Sequence, residues 1–219
     1  MSRKFSIIIP TMFKCPDITN ELLANLYEDP AVSEVILINN TEEHNNVTKI
    51  NVNGKLQIHS KNKNLYVNPS WNLGVSVAKE SYLGILNDDI IIAEGLFSGL
   101  SKVAIENLGV IGASHGSIMG LDKPERFLAT EFHIVGMPER TWGFGVFMVI
   151  YKNHYSQIPE DMKIWCGDDY IYHQNRIAGR QNCVLMCPIK TKMSMTSNNS
   201  VFEEIKNNDI EVYNSKYKV

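Results

Sequence analysis

Two acidic pairs are the residues of this chain best placed to do chemistry. Asp88-Asp89 closes the apolar run Tyr82-Leu-Gly-Ile-Leu-Asn87, and Asp168-Asp169 follows Trp165-Cys-Gly167 at the start of a helical stretch. A buried strand has no structural use for adjacent carboxylates, because unpaired charges are expensive to hold away from water. At the carboxyl end of a strand in an open α/β sheet, the same pair lies where such sheets bind ligands. Carboxylate oxygens there suit a magnesium or manganese ion, and such ions commonly bridge to phosphate. The plainer alternative is a turn in which Asp88 or Asp89 caps the next helix. For Asp168 and Asp169 it is capping plus a favourable position at the positive end of a helix dipole.

The elements that would hold these pairs are legible from apolar patterning. Phe5-Ser-Ile-Ile-Ile-Pro10 and Glu34-Val-Ile-Leu-Ile-Asn39-Asn40 read as buried strands, and Lys55–His59 as a shorter, alternating one. Asp17 to Tyr27 carries a helical stripe with Asp17 as candidate cap, and a second helix opens near Asn68-Pro69. Helix is expected over 94–107, and strand over 109–113, 127–135, 145–151 and 183–187. A helix should run from the second acidic pair to about Ala178, with a short last helix over 200–208. Alternating strands and helices with short connections predict a mostly parallel sheet covered on both faces. Right-handed crossovers would bring Asn39, Asn40, Asp88 and Asp89 to one sheet edge.

Composition narrows the rest. The chain has 219 residues, 44% hydrophobic and 21% charged, with a net charge of -3, so no global positive field advertises nucleic acid. No apolar run approaches the roughly 18 residues of a membrane span, and Phe5–Ile9 is too short for a signal segment. Cys15, Cys166, Cys183 and Cys187 lack zinc-ligand spacing and read as free thiols in a reducing compartment, so the expected location is cytoplasmic. His115, His133, His154 and His173 show no ligand spacing and read as surface or hydrogen-bonded side chains. Abundant asparagine and an excess of lysine over arginine point to an AT-rich coding genome.

Taken in order, the motifs combine: Ile9-Pro10-Thr11, Asn39-Asn40, Asn64-x-x-x-Asn68-x-x-x-Asn72-x-Gly74-x-x-x-Ala78, Asn87-Asp88-Asp89, and Asp168-Asp169 with Gly179 beyond. Over roughly residues 5 to 190 this resembles an inverting family 2 glycosyltransferase of the GT-A fold. The resemblance implies an α/β fold with a Rossmann-like, mostly parallel central sheet flanked by helices and a smaller antiparallel acceptor-side portion. It implies a single domain over 1–219, with a nucleotide-sugar half to about 113 and an acceptor and catalytic half from about 114.

The implied reaction moves a hexosyl or pentosyl group from a nucleoside diphosphate sugar, most simply a UDP-sugar, to a hydroxyl, with inversion. Asn87-Asp88-Asp89 matches the family's Asp-x-Asp, with Asn87 in place of the first carboxylate. Asp89 is then the ligand of Mn2+ or Mg2+, and Asp88 positions the ribose or the metal. Pro10, Thr11, Asn39, Asn40, Asn72 and Asn87 fall at nucleotide-binding positions, though Asn72 also reads as a helix cap and Gly74 as close packing. Asp169 matches the general base and Asp168 the residue that orients the acceptor.

Relatives often supply a metal-binding histidine after the strand at 183–187. This chain has none there, and Lys190 or Lys192 could meet the diphosphate instead. Trp142-Gly-Phe-Gly145 resembles the acceptor loop, where Trp142 either stacks on a ligand or packs in the core. The expected acceptor is a glycan or saccharide; hydroxymethylated bases of phage DNA are a less favoured choice, given the negative charge. Two other readings stand beside this one. One is a non-catalytic sugar-nucleotide or glycan-binding module, suggested by Asn39, Asn87 and the missing histidine. The other is a nucleotidyltransferase, which would need a glycine-rich basic loop where this chain has Thr11-Met-Phe-Lys14-Cys-Pro.

Overall fold

The computed structural model describes residues 2–42, 44–129, 131–192 and 200–218. Its first half alternates as expected: β1 (Phe5–Thr11), α1 (Pro16–Glu28), β2 (Val32–Asn39), β3 (Leu56–Ser60), α2 (Val67–Val77), β4 (Tyr82–Leu86) and β5 (Ile90–Ile92). Then come α3 (Leu96–Leu100), β6 (Ile111–Ala113), β7 (Ile118–Gly120), β8 (His133–Gly136), β9 (Phe147–Tyr151), α4 (Gly167–Ile177), β10 (Cys183–Met186), β11 (Ile189–Thr191) and α5 (Glu203–Val212).

Eight strands form the main sheet in the order β3-β2-β1-β4-β9-β6-β10-β8, and β5-β11-β7 form a small second sheet. The β1–β2, β2–β3, β1–β4 and β6–β10 pairs are parallel. Every antiparallel pair involves a strand after residue 113: β9 with β4 and β6, β8 with β10, and β11 with β5. Strands of the two halves interleave, because β9 separates β4 from β6.

The alternation of β1 divides the core. Ile7 and Ile9 face a cluster with Leu22, Leu23, Phe97 and Phe147, while Ile8 faces the opposite one with Trp71, Val75, Met148 and Ile171. Period-two side-chain direction thus covers both sheet faces from one isoleucine run. Gly74 belongs to this packing: a Cβ there would lie 2.3 Å from Ile8 Cγ2, so only glycine lets α2 settle on β1.

Several elements differ from the sequence reading. Pro16 is the first residue of α1, so Cys15 rather than Asp17 is the capping residue and Asp17 lies in the first turn. The helix expected over 94–107 stops after Leu100, where the Ser101 hydroxyl folds back on the Ser98 carbonyl at 2.8 Å. Among the described residues of 127–135, Phe127 turns its carbonyl to Glu94 N, and strand pairing with the sheet is confined to His133–Gly136. The last helix continues well beyond 208, to Val212.

Candidate active site

The carboxyl ends of β1, β2 and β4 converge on a solvent-open cleft. Thr11 ends β1, and its hydroxyl accepts from Phe13 N at 2.8 Å while donating to Asp88 Oδ2 at 2.5 Å. This bends the following loop so tightly that Phe13 takes a left-handed φ of 53°. Pro10, Thr11, Asn40, Asp88 and Asp89 line the cleft, together with Lys14 and Cys15 of that loop.

Both carboxylates of the first pair are strained electrostatically. Burial pushes the Asp88 carboxyl up to about 6, opposed by the Thr11 hydroxyl and reinforced by the neighbouring Asp89 charge. Burial also raises Asp89, against hydrogen-bonding groups of its own backbone, Asn87 and Thr191. Asp89 is 6% exposed, and its Oδ1 is buried with no hydrogen-bond partner among the described residues. An unpartnered buried carboxylate oxygen is costly unless something fills its place. Two adjacent carboxylates facing an open cleft fit a hard divalent ion, which usually takes one or two protein carboxylates and leaves its other positions to phosphate and water. Among the described residues no group of three or more His, Cys, Asp or Glu side chains offers a fuller metal cage.

The asparagines divide by geometry. Asn40 accepts from Leu65 N and from the Ser70 hydroxyl at 3.0 Å, fixing the 64–66 segment that forms another cleft wall. Asn39 is buried and bonded internally, donating to Ser60 Oγ at 3.1 Å and accepting from both Thr41 N and Thr41 Oγ1. Asn72 clamps a distant loop, donating to Ile158 O and accepting from Tyr155 Oη and Ile158 N. Neither Asn39 nor Asn72 is among the residues lining the cleft, and their carboxamides are engaged by the scaffold bonds just described. Asn87 donates its backbone N–H to Val146 O at 3.1 Å. Lys190 lies 4.7 Å over the Phe127 ring, whereas exposed Lys192 carries its charge near Cys15 on the cleft wall. Lys190 is thus engaged by a ring, while Lys192 stands beside a lining residue without itself lining the cleft.

The Gly145-Val146 backbone touches the segments that carry both acidic pairs, although neither Asp168 nor Asp169 is among the residues lining the cleft. Val146 O holds Asn87, and a Cβ on the adjacent Gly145 would fall 2.8 Å from Asp168 Oδ2. Asp168 and Asp169 occupy the first turn of α4, whose N-cap residue Cys166 makes no side-chain cap. Arg140 takes both instead. Its Nε and Nη2 form a fork on the two Asp169 oxygens, the second at 2.9 Å, and Nη1 stands 3.3 Å from Asp168 Oδ2. Burial raises the Asp168 carboxyl against the pull of Arg140, and the adjoining Asp169 charge adds to the rise.

Asp209 and the Tyr66–Phe202 pair join the residues that the sequence reading missed. Asp209 is fully buried on α5 and accepts from three consecutive amides, Lys163 N, Ile164 N and Trp165 N, at 3.0, 2.6 and 2.8 Å. These bonds fix the segment leading into α4, and Ile164 and Phe202 bring it and the C-terminal region to the cleft. Tyr66 meets Phe202 edge-on at 6.3 Å. Trp142 is 59% exposed, which decides against a core position, and its ring meets His115 at 5.3 Å.

No protein-family model matches the chain, and no curated protein matches it in sequence. Solved structures do. The structure of S. aureus TarS 1–349 aligns with a TM-score of 0.61 and 16% identity, over 98% of this chain and 67% of that one. The mannosyltransferase PcManGT from Pyrobaculum calidifontis, in complex with GDP-Man and Mn2+, aligns with a TM-score of 0.58 and 12% identity, over 84% of this chain and 57% of that one. The chain thus spans about two thirds of the first structure and little more than half of the second. At these identities the likeness is one of fold: a large, mostly parallel sheet with helices and a smaller sheet, shared with a mannosyltransferase. No helix among the described residues is long and apolar enough to cross a membrane.

Proposed function

We propose that the chain is a metal-assisted, inverting glycosyltransferase that takes its sugar from a nucleoside diphosphate donor, with a UDP-sugar as first candidate. The observation that carries this reading is the unpartnered, buried Asp89 Oδ1 on a cleft wall, with the Gly145-Val146 backbone touching both its segment and that of a second acidic pair. Asp89 would hold a Mn2+ or Mg2+ ion, with Asp88 as second ligand or ribose contact. The ion's contribution is to offset charge on the departing diphosphate. Lys192, with Lys14 on the same rim, adds positive charge beside the diphosphate. Backbone at Pro10 and Thr11 and the wall built by Asn40, Tyr66 and Phe202 receive the nucleoside.

In a single displacement the acceptor oxygen attacks the anomeric carbon while a base removes its proton. Asp169 fills that role, with Asp168 beside it orienting the acceptor. The exposed Trp142 ring offers an apolar face to a saccharide acceptor, which favours a glycan over DNA, as does the net charge of -3. On this reading the chain works as one domain, its donor half ending near 113. The non-catalytic alternative draws on Asn87, which removes one carboxylate from the metal site.

Incubation with UDP- and GDP-sugars, Mn2+ and a panel of saccharides, followed by measurement of released nucleoside diphosphate, separates the two. Release that Asp89→Ala abolishes supports the transferase. Tight donor binding without release across the whole panel supports the binding module.

A further inference from the structure

Arg140 lies 28 residues before Asp168 in sequence, outside every motif, yet its guanidinium is committed to the second acidic pair. Beyond the fork on Asp169 and the approach to Asp168, Nη1 donates to Thr141 O at 3.0 Å. The loop that carries it is itself fixed. Thr141 Oγ1 donates to Ala113 O at 3.3 Å, and Phe144 N closes a turn on Thr141 O. Gly143 has φ of 76° with Ile118 pressed against it, and Gly145 lets Asp168 approach the backbone.

A bidentate Arg–carboxylate pair fixes a side chain in direction as well as charge. An ionised carboxylate has about four acceptor sites, so a fork on two of them leaves others to receive a proton from a third group. Without the guanidinium, two half-buried carboxylates on one helical turn would compete, and one would hold a proton.

We propose that Arg140 is the positioning residue of the second acidic pair, holding Asp169 in one rotamer by its fork and turning its remaining face to Asp168, so that Asp169 is aimed to take the acceptor's proton. This rests on the transferase reading for its catalytic consequence but not for its electrostatic one. Other titratable groups face the pair from each packed element: Cys166 before α4, Tyr213 after α5, and Asp209 one step further, beside Cys166. Of all these, Arg140 alone is cationic among the described residues, so it sets the sign.

The test compares the parent with Arg140→Ala and Arg140→Lys, using protein labelled with 13C at the aspartate carboxyls. In Arg140→Ala the Asp168 carboxyl should titrate at higher pH than in the parent, since Arg140 opposes the rise that burial causes there. With donor and acceptor in hand, kcat should fall about 100-fold, within the range for losing a positioned base. The acid limb of the pH profile should move upward while KM for the donor stays unchanged. Arg140→Lys should recover part of both effects, by restoring charge without the fork, and it carries the test if Arg140→Ala does not fold. Carboxyl titrations and pH profiles that superimpose on those of the parent would overturn the proposal. A parent that turns over no donor refutes the transferase reading alone, because the carboxyl titration still decides the role of Arg140.

Discussion

Asp88-Asp89 and Asp168-Asp169 flank the same Gly145-Val146 backbone, yet among the described residues only the second pair has a resident cation. The first pair is met by neutral groups only, the Thr11 hydroxyl at Asp88 and Asn87 and Thr191 at Asp89, with Asp89 Oδ1 left unpartnered among the described residues, and burial leaves both carboxyls raised. The second is locked by Arg140 at the start of a helix. Identical side chains have thus been given opposite electrostatic tasks. An unfilled carboxylate site is suited to a charge that arrives and leaves with the ligand. A permanently paired one is suited to a proton acceptor whose direction must not change.

The largest effect expected from breaking this contrast lies at the second pair. Asp169→Asn keeps the volume and removes the basicity, so kcat should fall by about 10²- to 10⁴-fold. Nucleotide affinity, measured by calorimetry, should stay at the parent value, because the proposed donor wall does not include Asp169. Equal losses in kcat and in nucleotide affinity would mean that the two pairs are not functionally separate.

Asp88→Asn sharpens the contrast through stability. The folded-state carboxyl titrates near 6, above its ordinary 3.8, so the folded protein binds this proton more tightly than the unfolded chain. In metal-free protein the Asp88 charge therefore costs stability at neutral pH, and that cost fades as pH falls through 6 toward the ordinary value. Asp88→Asn should raise metal-free stability by about 3 kcal/mol at pH 7 and by well under about 1 kcal/mol near pH 4, as read by denaturant unfolding. Added Mn2+ should stabilise the parent and much less the variant. A variant less stable than the parent at pH 7 would contradict the burial argument.

A smaller effect is expected at the rim. Lys192→Ala should weaken UDP binding by several-fold, corresponding to about 1 kcal/mol for a solvent-screened charge, and more without Mn2+ than with it. Unchanged affinity under both conditions would remove Lys192 from the donor site.

Much of this arrangement was legible in the sequence, because local pattern determines it. The isoleucine run of β1, the strand ending in Asn87-Asp88-Asp89 and the helix opening at Asp168-Asp169 each follow from period and polarity within a dozen residues. What escaped was non-local. Arg140 reaches Asp169 across 29 positions with no periodic signal, and Asp209 reads as a surface residue until its three amide partners appear. The small sheet is built from three-residue strands, too short for any alternation to register. The scaffold bonds of Asn39 and Asn72 were equally invisible, since their partners Ser60, Tyr155 and Ile158 lie far along the chain.

The most direct measurement is anomalous scattering from manganese in crystals grown with UDP and Mn2+. The account predicts one ion bonded to Asp89 Oδ1 and to the diphosphate, with Asp169 still forked by Arg140 on the far side of Gly145-Val146. A nucleotide bound away from the first pair, or an ion seated at Asp168-Asp169, would contradict it.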